Sequence, residues 1–376
     1  MIRILHTADL LLDYSFAGND ELAALRRGDQ LRTFEKLINL AIKNEVDLMV
    51  FAGNLFATPR PEPELIESVC NGLQRLVDRQ IVPVVLPGGL DGIPTPDNIY
   101  RLTSIPGLLL SDVKSLRQPI SLDVKSTMVH LYGFAWGSDG DPSGLSSMTR
   151  LDKPGIHIGI LQAGADGDQS DYFCELPAVD LRMLRSWGLD YVALGNCRNW
   201  REFADEDDVQ GVFPGTPEAV SFEETGLRHC ALVTLDGETT KLEKIPANSR
   251  TLEKAEIDIS GIETTASIAE AIGEHAHPET VFRAVLKGEP SVLPDLETLH
   301  ISLAERFARL EIDDRSVLLE GRFPAILRQR GQPFARLLEE AEHLRSQATE
   351  SKDLLLLDEA FRTALEKLEN AEEGRS

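Results

Sequence analysis

Short apolar segments alternate with amphipathic ones over roughly the first 235 residues, and this alternation constrains the fold most. The apolar segments are rich in β-branched residues and bounded by glycine, proline or aspartate, which is typical of buried strands. We predict strands at Ile2–His6, Leu48–Ala52, Val82–Leu86, Thr127–Tyr132, His157–Leu161 and Tyr191–Leu194. Apolar residues at helical spacing predict helices over Glu21–Asn44 and Glu64–Arg79. This order predicts a layered α/β domain with helices packed on the sheet.

The pattern changes near residue 250, where we place a domain boundary. Before it, Asp236-Gly237 separates two apolar segments, which predicts a β-hairpin over residues 228–245. After it, strands and helices alternate in a small α+β unit over residues 251–332. Its predicted elements are Lys254–Ile259, Thr265–Glu274, Thr280–Leu286, Asp295–Phe307 and Arg309–Ile312.

From Pro333 onward the pattern is purely helical, and we treat residues 333–376 as a separate helical segment. Its apolar positions, all candidates for contact with a partner, include Leu337, Leu344, Leu354, Phe361 and Leu365. Such a stripe fits two amphipathic helices packed on their own domain, and it equally fits a surface for a partner helix. The sequence leaves both alternatives open.

Charge limits the functions that this chain can carry out alone. It has 62 acidic and 38 basic residues, a formal net charge of −24. Nucleic-acid binding draws much of its affinity from Lys and Arg that neutralise phosphates, so a role on DNA would need a partner.

The spacing of the cysteines and the hydropathy of the chain predict where the protein is located in the cell. Cys70, Cys174, Cys197 and Cys230 lack the spacing of a zinc site or a disulfide framework. No apolar segment approaches the roughly 20 residues of a membrane helix, and no leader precedes the first predicted strand. We therefore expect a soluble cytoplasmic protein without membrane contact.

The loops after the predicted strands are the candidate site, because ligands of an open α/β sheet bind beyond the carboxyl ends of its strands. These loops are His6–Asp13, Ala52–Phe56, Pro87–Asp91, Leu161–Gly164 and Leu194–Arg198.

In this order the loops resemble those of the calcineurin-like metallophosphoesterases, specifically the nuclease subunit of the bacterial SbcCD complex and its double-strand-break-repair counterparts. MIRILHTADLLLD resembles the family's A-D-x-H-L-D, and DLMVFAGNLFATPRP resembles D-x-x-x-x-x-G-D-L-F-D. VPVVLPGGLDG stands where the family has P-G-N-H-D, and IGILQAG where a strand ends in His. LDYVALGNCRNW resembles D-Y-V-A-L-G-H-x-H, and VFPGTPEAVSFEETG resembles P-G-S-P-x-x-x-x-F-x-E. The resemblance extends over nearly the whole chain.

The resemblance implies a β-sandwich-type metallophosphoesterase domain flanked by helices, then a small α+β capping domain and a C-terminal helical segment. It also implies two manganese ions that activate water and clamp a phosphate. Of the seven ligand positions, this chain keeps only Asp9; the others are Leu11, Asn54, Gly89, Gln162, Asn196 and Arg198. Leu90 stands where the family has a His that assists the leaving group. We therefore expect neither metal cofactor nor catalytic residues.

Two interpretations of Arg198 follow from this resemblance. In the first, Arg198 lies on a vacated surface and pairs with whichever acid is near. In the second, it replaces the lost cation by pairing with Asp9 and keeps the loops ordered without metal. Other candidates do not rebuild the site, because we expect His6 to face the core and His275 and His277 to be solvated.

Three functions remain as hypotheses. The first is a non-catalytic scaffold or regulator that holds an SbcC-like SMC-type ATPase in DNA repair through residues 333–376, with homodimerisation left open. The second is a residual metal-dependent exonuclease or phosphodiesterase that uses Asp9, Asn54, Asn196 and Asp91. The third is a stand-alone module whose vacated cleft binds a small ligand.

Overall fold

A computed structural model describes residues 1–92, 95–110, 118–133, 145, 148–165, 173, 175–205, 208–237, 239–348 and 351–373. Cys174 lies outside this set, and the described cysteines form no disulfide with one another. The chain divides into two compact units, residues 1–251 and 252–376. The helical segment predicted from residue 333 is part of the second unit.

The first unit contains two six-stranded sheets. The strands of one sheet, in spatial order, are β14 (Thr240–Pro246), β13 (His229–Leu235), β1 (Ile2–Thr7), β2 (Leu48–Ala52), β3 (Val82–Leu86) and β4 (Leu108–Leu109). Those of the other are β11 (Arg201–Asp205), β12 (Asp208–Phe213), β10 (Tyr191–Gly195), β7 (Ile156–Gln162), β6 (Thr127–Gly133) and β5 (Ile120–Val124). A two-stranded pair comprises β8 (Gly164–Ala165) and β9 (Ala178–Val179).

The two large sheets form a sandwich. Apolar side chains from both, such as Val50 and Ile160, make one continuous core. The outer face of the first sheet packs against α1 (Asp20–Lys43) and α2 (Pro63–Val77), which confirms the layered α/β prediction. The outer face of the second sheet packs against α4 (Leu181–Trp187), and the short α3 spans Ile99–Leu102. In the central strands β1, β2, β3, β7 and β10, parallel pairing brings the carboxyl ends to one edge.

The second unit begins with a three-stranded sheet ordered β15 (Thr251–Asp258), β16 (Thr280–Lys287) and β17 (Arg309–Asp314). It packs against α5 (Thr265–Gly273) and α6 (Leu296–Leu303). The predicted helix over 295–307 is shorter in the structure, while the predicted strands and helix α5 are present. The chain then continues in α7 (Phe323–Gln329), α8 (Gln332–Gln347) and α9 (Ser351–Glu373).

The apolar stripe of the last helices is mostly used within the unit. Phe361 and Leu365 are buried at 2% and 0% exposure in a cluster shared by α7, α8 and α9. Leu337 packs partly against this cluster, and Leu354 is half-buried. Phe361 and Leu365, which the sequence predicted as partner contacts, thus lie in the interior of their own unit. Helical spacing alone does not distinguish an inward face from a docking face. Of the predicted contacts, only Leu344 is largely exposed, at 44%.

Candidate functional site

The loops after β1 and β2 run side by side and form the floor of the candidate site. The backbone N–H of Asp9 donates to Gly53 O at 3.0 Å, and that of Leu11 donates to Asn54 O at 3.0 Å. Asp9, Leu11 and Asn54 all have left-handed backbone, with φ of 50°, 51° and 48°. Asp and Asn tolerate this conformation best, whereas a leucine there costs about 1–2 kcal/mol. The inter-loop hydrogen bonds hold a backbone that Leu11 would not adopt alone.

Asp9 lies at the centre of the site and accepts hydrogen bonds from three directions. Its Oδ1 receives Asn54 Nδ2 at 2.7 Å and Gln162 Nε2 at 3.3 Å. Its Oδ2 receives the backbone N–H of Asn196 at 2.6 Å. The Asn196 amide in turn donates to Ala163 O at 3.2 Å. The site thus joins the ends of β1, β2, β7 and β10.

The orientation of the two side-chain amides follows from their other contacts. Asn54 Oδ1 accepts the backbone N–H of Leu90 at 3.0 Å, and Gln162 Oε1 accepts that of Gly89 at 3.0 Å. A backbone N–H can only donate, so each amide oxygen must face the loop after β3. Both amide nitrogens therefore face Asp9.

Burial dominates the electrostatics of the site. Asp9, Asn54, Gln162 and Asn196 all have 0% exposure. Burial raises the pKa of Asp9 to about 8, while the hydrogen bonds from Asn54 and Asn196 act in the opposite direction. Solvent does not reach any of these side chains.

A second buried carboxylate, Asp91, ties the loop after β3 to the loop after β2. It accepts the backbone N–H of Gly88 at 2.7 Å and that of Phe56 at 3.0 Å. It also accepts the Tyr100 hydroxyl at 2.5 Å. Asp91 thus holds the loop after β3 against the loop after β2 and against α3, a role that the sequence did not indicate.

Arg198 does not contact Asp9. Its Nη1 donates to Oε1 of Glu224 at 2.9 Å, and its guanidinium lies 4.2 Å from the ring centroid of Phe173. Glu224 is buried and also accepts the Thr216 hydroxyl at 2.5 Å. The interpretation in which Arg198 replaces a cation beside Asp9 is wrong, because Arg198 pairs with Glu224 instead. The sequence cannot show which acid lies next to an arginine in the folded chain.

The residues present do not fit the dinuclear manganese centre that the resemblance implies. Gly89 has no side chain, Leu11 and Leu90 offer no ligand atom, and Asn54 and Gln162 turn N–H groups toward the only retained acid. Within the described part of the chain, no three His, Cys, Asp or Glu side chains converge in a way that could hold a metal ion.

The other histidines considered from the sequence lie away from this cleft. His6 is buried in β1, with Nδ1 2.8 Å from the Tyr191 hydroxyl, as predicted for a core residue. His157 lies at the amino end of β7, and His275 and His277 are exposed in the second unit. None of them supplies a ligand near Asp9.

Comparison with known proteins gives partial sequence similarity to DNA double-strand break repair proteins. The DNA double-strand break repair protein Mre11 of Saccharolobus solfataricus is 27% identical over 237 residues, 60% of this chain and 56% of that protein. Mre11 of Haloferax volcanii is 36% identical over 89 residues, 23% of this chain and 19% of that protein. The chain thus aligns with less than two thirds of each of these relatives. No family model matches the sequence.

Among solved structures, the calcineurin-like phosphoesterase YfkN from Bacillus subtilis aligns with a TM-score of 0.39 and 12% identity. The alignment covers 65% of this chain and 90% of the other. None of the helices in the described residues has the length and apolar character needed to cross a membrane.

Proposed function

We propose that this protein is a non-catalytic, SbcD-like and Mre11-like subunit that acts in DNA repair by binding an SbcC-like SMC-type ATPase. The observation that carries the non-catalytic part is the closed state of the cleft. The one retained acid, Asp9, is fully buried, and its two oxygens accept hydrogen bonds from Asn54, Gln162 and Asn196. A phosphodiester could not reach Asp9 without displacing these donors.

The chemistry of the site supports the same proposal. Metal-assisted hydrolysis needs oxygen or imidazole ligands that polarise a phosphate and activate water. Amide N–H groups facing an acid supply neither a ligand nor a base. The partial similarity to Mre11 supports the DNA-repair setting, and the net charge of −24 supports contact with DNA through a partner.

The partner-binding part of the proposal rests on the last helices. Leu344 of α8 and Leu356 of α9 are 44% and 55% exposed, while their neighbours Phe334 and Phe361 fill the interior of the helical cluster. The exposed leucines could pack against the apolar face of a coiled coil, which recognises a helix through such anchors. Leu344 is one of the contacts that the sequence predicted, whereas Leu356 is not.

The test of catalysis is bound metal after manganese loading, together with cleavage of single- and double-stranded DNA. We expect less than about a tenth of a metal ion per chain and no cleavage above that of a preparation without protein. Cleavage that Asp9→Ala abolishes would instead support the residual-nuclease alternative.

The test of partner binding is co-purification of the full chain with an SbcC-like ATPase. We expect a complex that the double variant Leu344→Glu, Leu356→Glu does not form. Ile301→Glu is the matched control, because Ile301 is a 72% exposed apolar residue of α6 in the same unit. Equal loss of the complex in the control, or no complex with the unaltered chain, would contradict this part of the proposal.

A further inference from the structure

We propose that the side-chain amide of Gln162 and the backbone N–H of Asn196 hold the two sheets together at the cleft in place of divalent cations, and that the side-chain amide of Asn54 keeps cations out. This inference concerns the non-catalytic part of the proposed function and is independent of the partner. It makes the stability of the first unit independent of metal.

The first argument is connectivity. Asp9 and Asn54 follow β1 and β2 of one sheet, while Gln162 ends β7 of the other and Asn196 follows β10. The hydrogen bonds that Gln162 Nε2 and the Asn196 N–H donate to Asp9, at 3.3 and 2.6 Å, therefore join the two sheets at one edge, while that of Asn54 joins two loops of the first sheet. A cation bound by acids from several loops would make the same cross-connection.

The second argument is the sign of the groups that face Asp9. Because the amide oxygens accept from Leu90 and Gly89, the hydrogens of both amide nitrogens are directed at Asp9. These hydrogens carry partial positive charge, so they attract the acid and repel a cation at the same position.

The third argument is space. Gly53 has φ of +97°, and a Cβ placed on it would lie 2.2 Å from Gln162 Nε2. A Cβ on Gly88 would lie 2.1 Å from Asn54 Oδ1. The amides thus lie directly against the backbone of the loops, and even a methyl group on Gly53 or Gly88 would displace them.

The proposal predicts that a carboxylate at position 54 would create a need for a cation. In Asn54→Asp, an oxygen replaces the nitrogen that now lies 2.7 Å from Asp9 Oδ1, so two carboxyl groups face each other in a buried site. Two carboxyl groups at this distance cannot both be ionised unless a cation lies between them, so without a cation the pair must retain a proton and loses the hydrogen bond that Asn54 donates. Oxygen ligands of this kind suit Mn²⁺ and Mg²⁺. The variant should therefore become dependent on a divalent cation.

The experiment measures the melting temperature (Tm) of the full chain in EDTA and in millimolar Mn²⁺. We expect the unaltered protein to melt at the same temperature in both, within about 1 °C, and equilibrium dialysis to detect no bound Mn²⁺. We expect Asn54→Asp to lose roughly 10 °C in EDTA, where no cation compensates the buried acid pair, and to recover at least half of this loss in Mn²⁺.

The matched control is Gln74→Glu, because Gln74 is an exposed amide that donates to Asp78 at 2.8 Å. The same chemical change there should shift the Tm by less than about 1 °C, with no response to Mn²⁺. If Asn54→Asp does not fold, the Tm and the Mn²⁺ binding of the unaltered protein still show whether the first unit needs a divalent cation.

Each part of the proposal can fail separately. Saturable stabilisation of the unaltered protein by Mn²⁺, or a variant as stable in EDTA as the unaltered protein, would overturn the inference. If Mn²⁺ stabilises the unaltered protein but no DNA is cleaved, the non-catalytic function stands and only the role of the amides fails. Cleavage of DNA by the unaltered protein would overturn the non-catalytic function itself.

Discussion

The guanidinium of Arg198 donates to Glu224 at 2.9 Å and does not contact Asp9, although Arg198 and Asp9 both follow strands that end at the same edge. Glu224 is 1% exposed in its side chain, and Arg228 Nη2 also lies 3.8 Å from it. This pair fixes the loop after β10 to the turn before β13. Removing Arg198 and removing Glu224 should cost different amounts of free energy, because only Glu224 is fully buried.

Arg198→Ala should lower the free energy of unfolding by about 1 kcal/mol, since Glu224 keeps its bond from Thr216 and its proximity to Arg228. Glu224→Ala should cost about 3 kcal/mol or more, because it leaves buried donors without an acceptor. Urea denaturation followed by tryptophan fluorescence measures both values. Equal losses in the two variants would contradict the asymmetry.

Arg26→Ala should destabilise the first unit by about 3–5 kcal/mol, because it leaves the buried acid Glu218 without its cation, while Asp29 keeps Arg32 and Arg250. Arg26 and Asp29 are fully buried, Nη1 of Arg26 lies 2.7 Å from Asp29, and Nη2 contacts Glu218. Arg60→Ala is the control, because its pair with Asp97 is exposed on both sides. We expect the control to cost less than about 0.5 kcal/mol. Similar urea midpoints for the two variants would contradict a structural role for the buried cluster.

His6 should make the protein less stable as the pH falls below about 6.5. Burial lowers the pKa of His6 from 6.5 to about 3, so between these values the unfolded chain binds a proton that the folded chain does not. Stability is therefore present above pH 6.5 and is lost as the pH falls, by about 1.4 kcal/mol per pH unit.

The measurement for His6 is urea denaturation from pH 7.5 to 4.5 on the unaltered protein and on His6→Gln. The difference between the two curves isolates His6, because His157 and His229, whose pKa values burial also lowers, titrate in both proteins. Parallel curves over this range would show that His6 does not titrate as its burial requires.

Phe361→Ala should lower the stability of the last helices, whereas Leu344→Glu should leave it nearly unchanged. Phe361 lies in the interior of the cluster of α7, α8 and α9, and its truncation should cost about 3–5 kcal/mol. Leu344 is 44% exposed, so a charged residue there should change stability by less than about 0.5 kcal/mol. Circular dichroism during thermal unfolding measures both. A strong loss of stability in Leu344→Glu would mean that this side chain is buried in solution.

Most of the fold could be predicted from the sequence, because the period of apolar residues is a local property. The strands at residues 48–52 and 82–86 match their predicted bounds, and the hairpin around Asp236-Gly237 forms between β13 and β14. The burial of His6 followed from its place inside an apolar strand. In the last helices the same reasoning was insufficient, because Phe361 and Leu344 have equivalent spacing and opposite exposure.

The sequence by itself determined the layered α/β architecture and identified the loops that meet at one edge, since both follow from strand order and hydropathy. It also determined that only Asp9 remains of the ligand set that the resemblance implies. Only the tertiary structure decided what those loops do together. An asparagine or glutamine can turn its oxygen or its nitrogen inward, and the backbone donors of Gly89 and Leu90, distant in sequence from Gln162 and Asn54, determine which. Tertiary packing selects these hydrogen-bond partners, so the orientation of the two amides could not be predicted from the sequence.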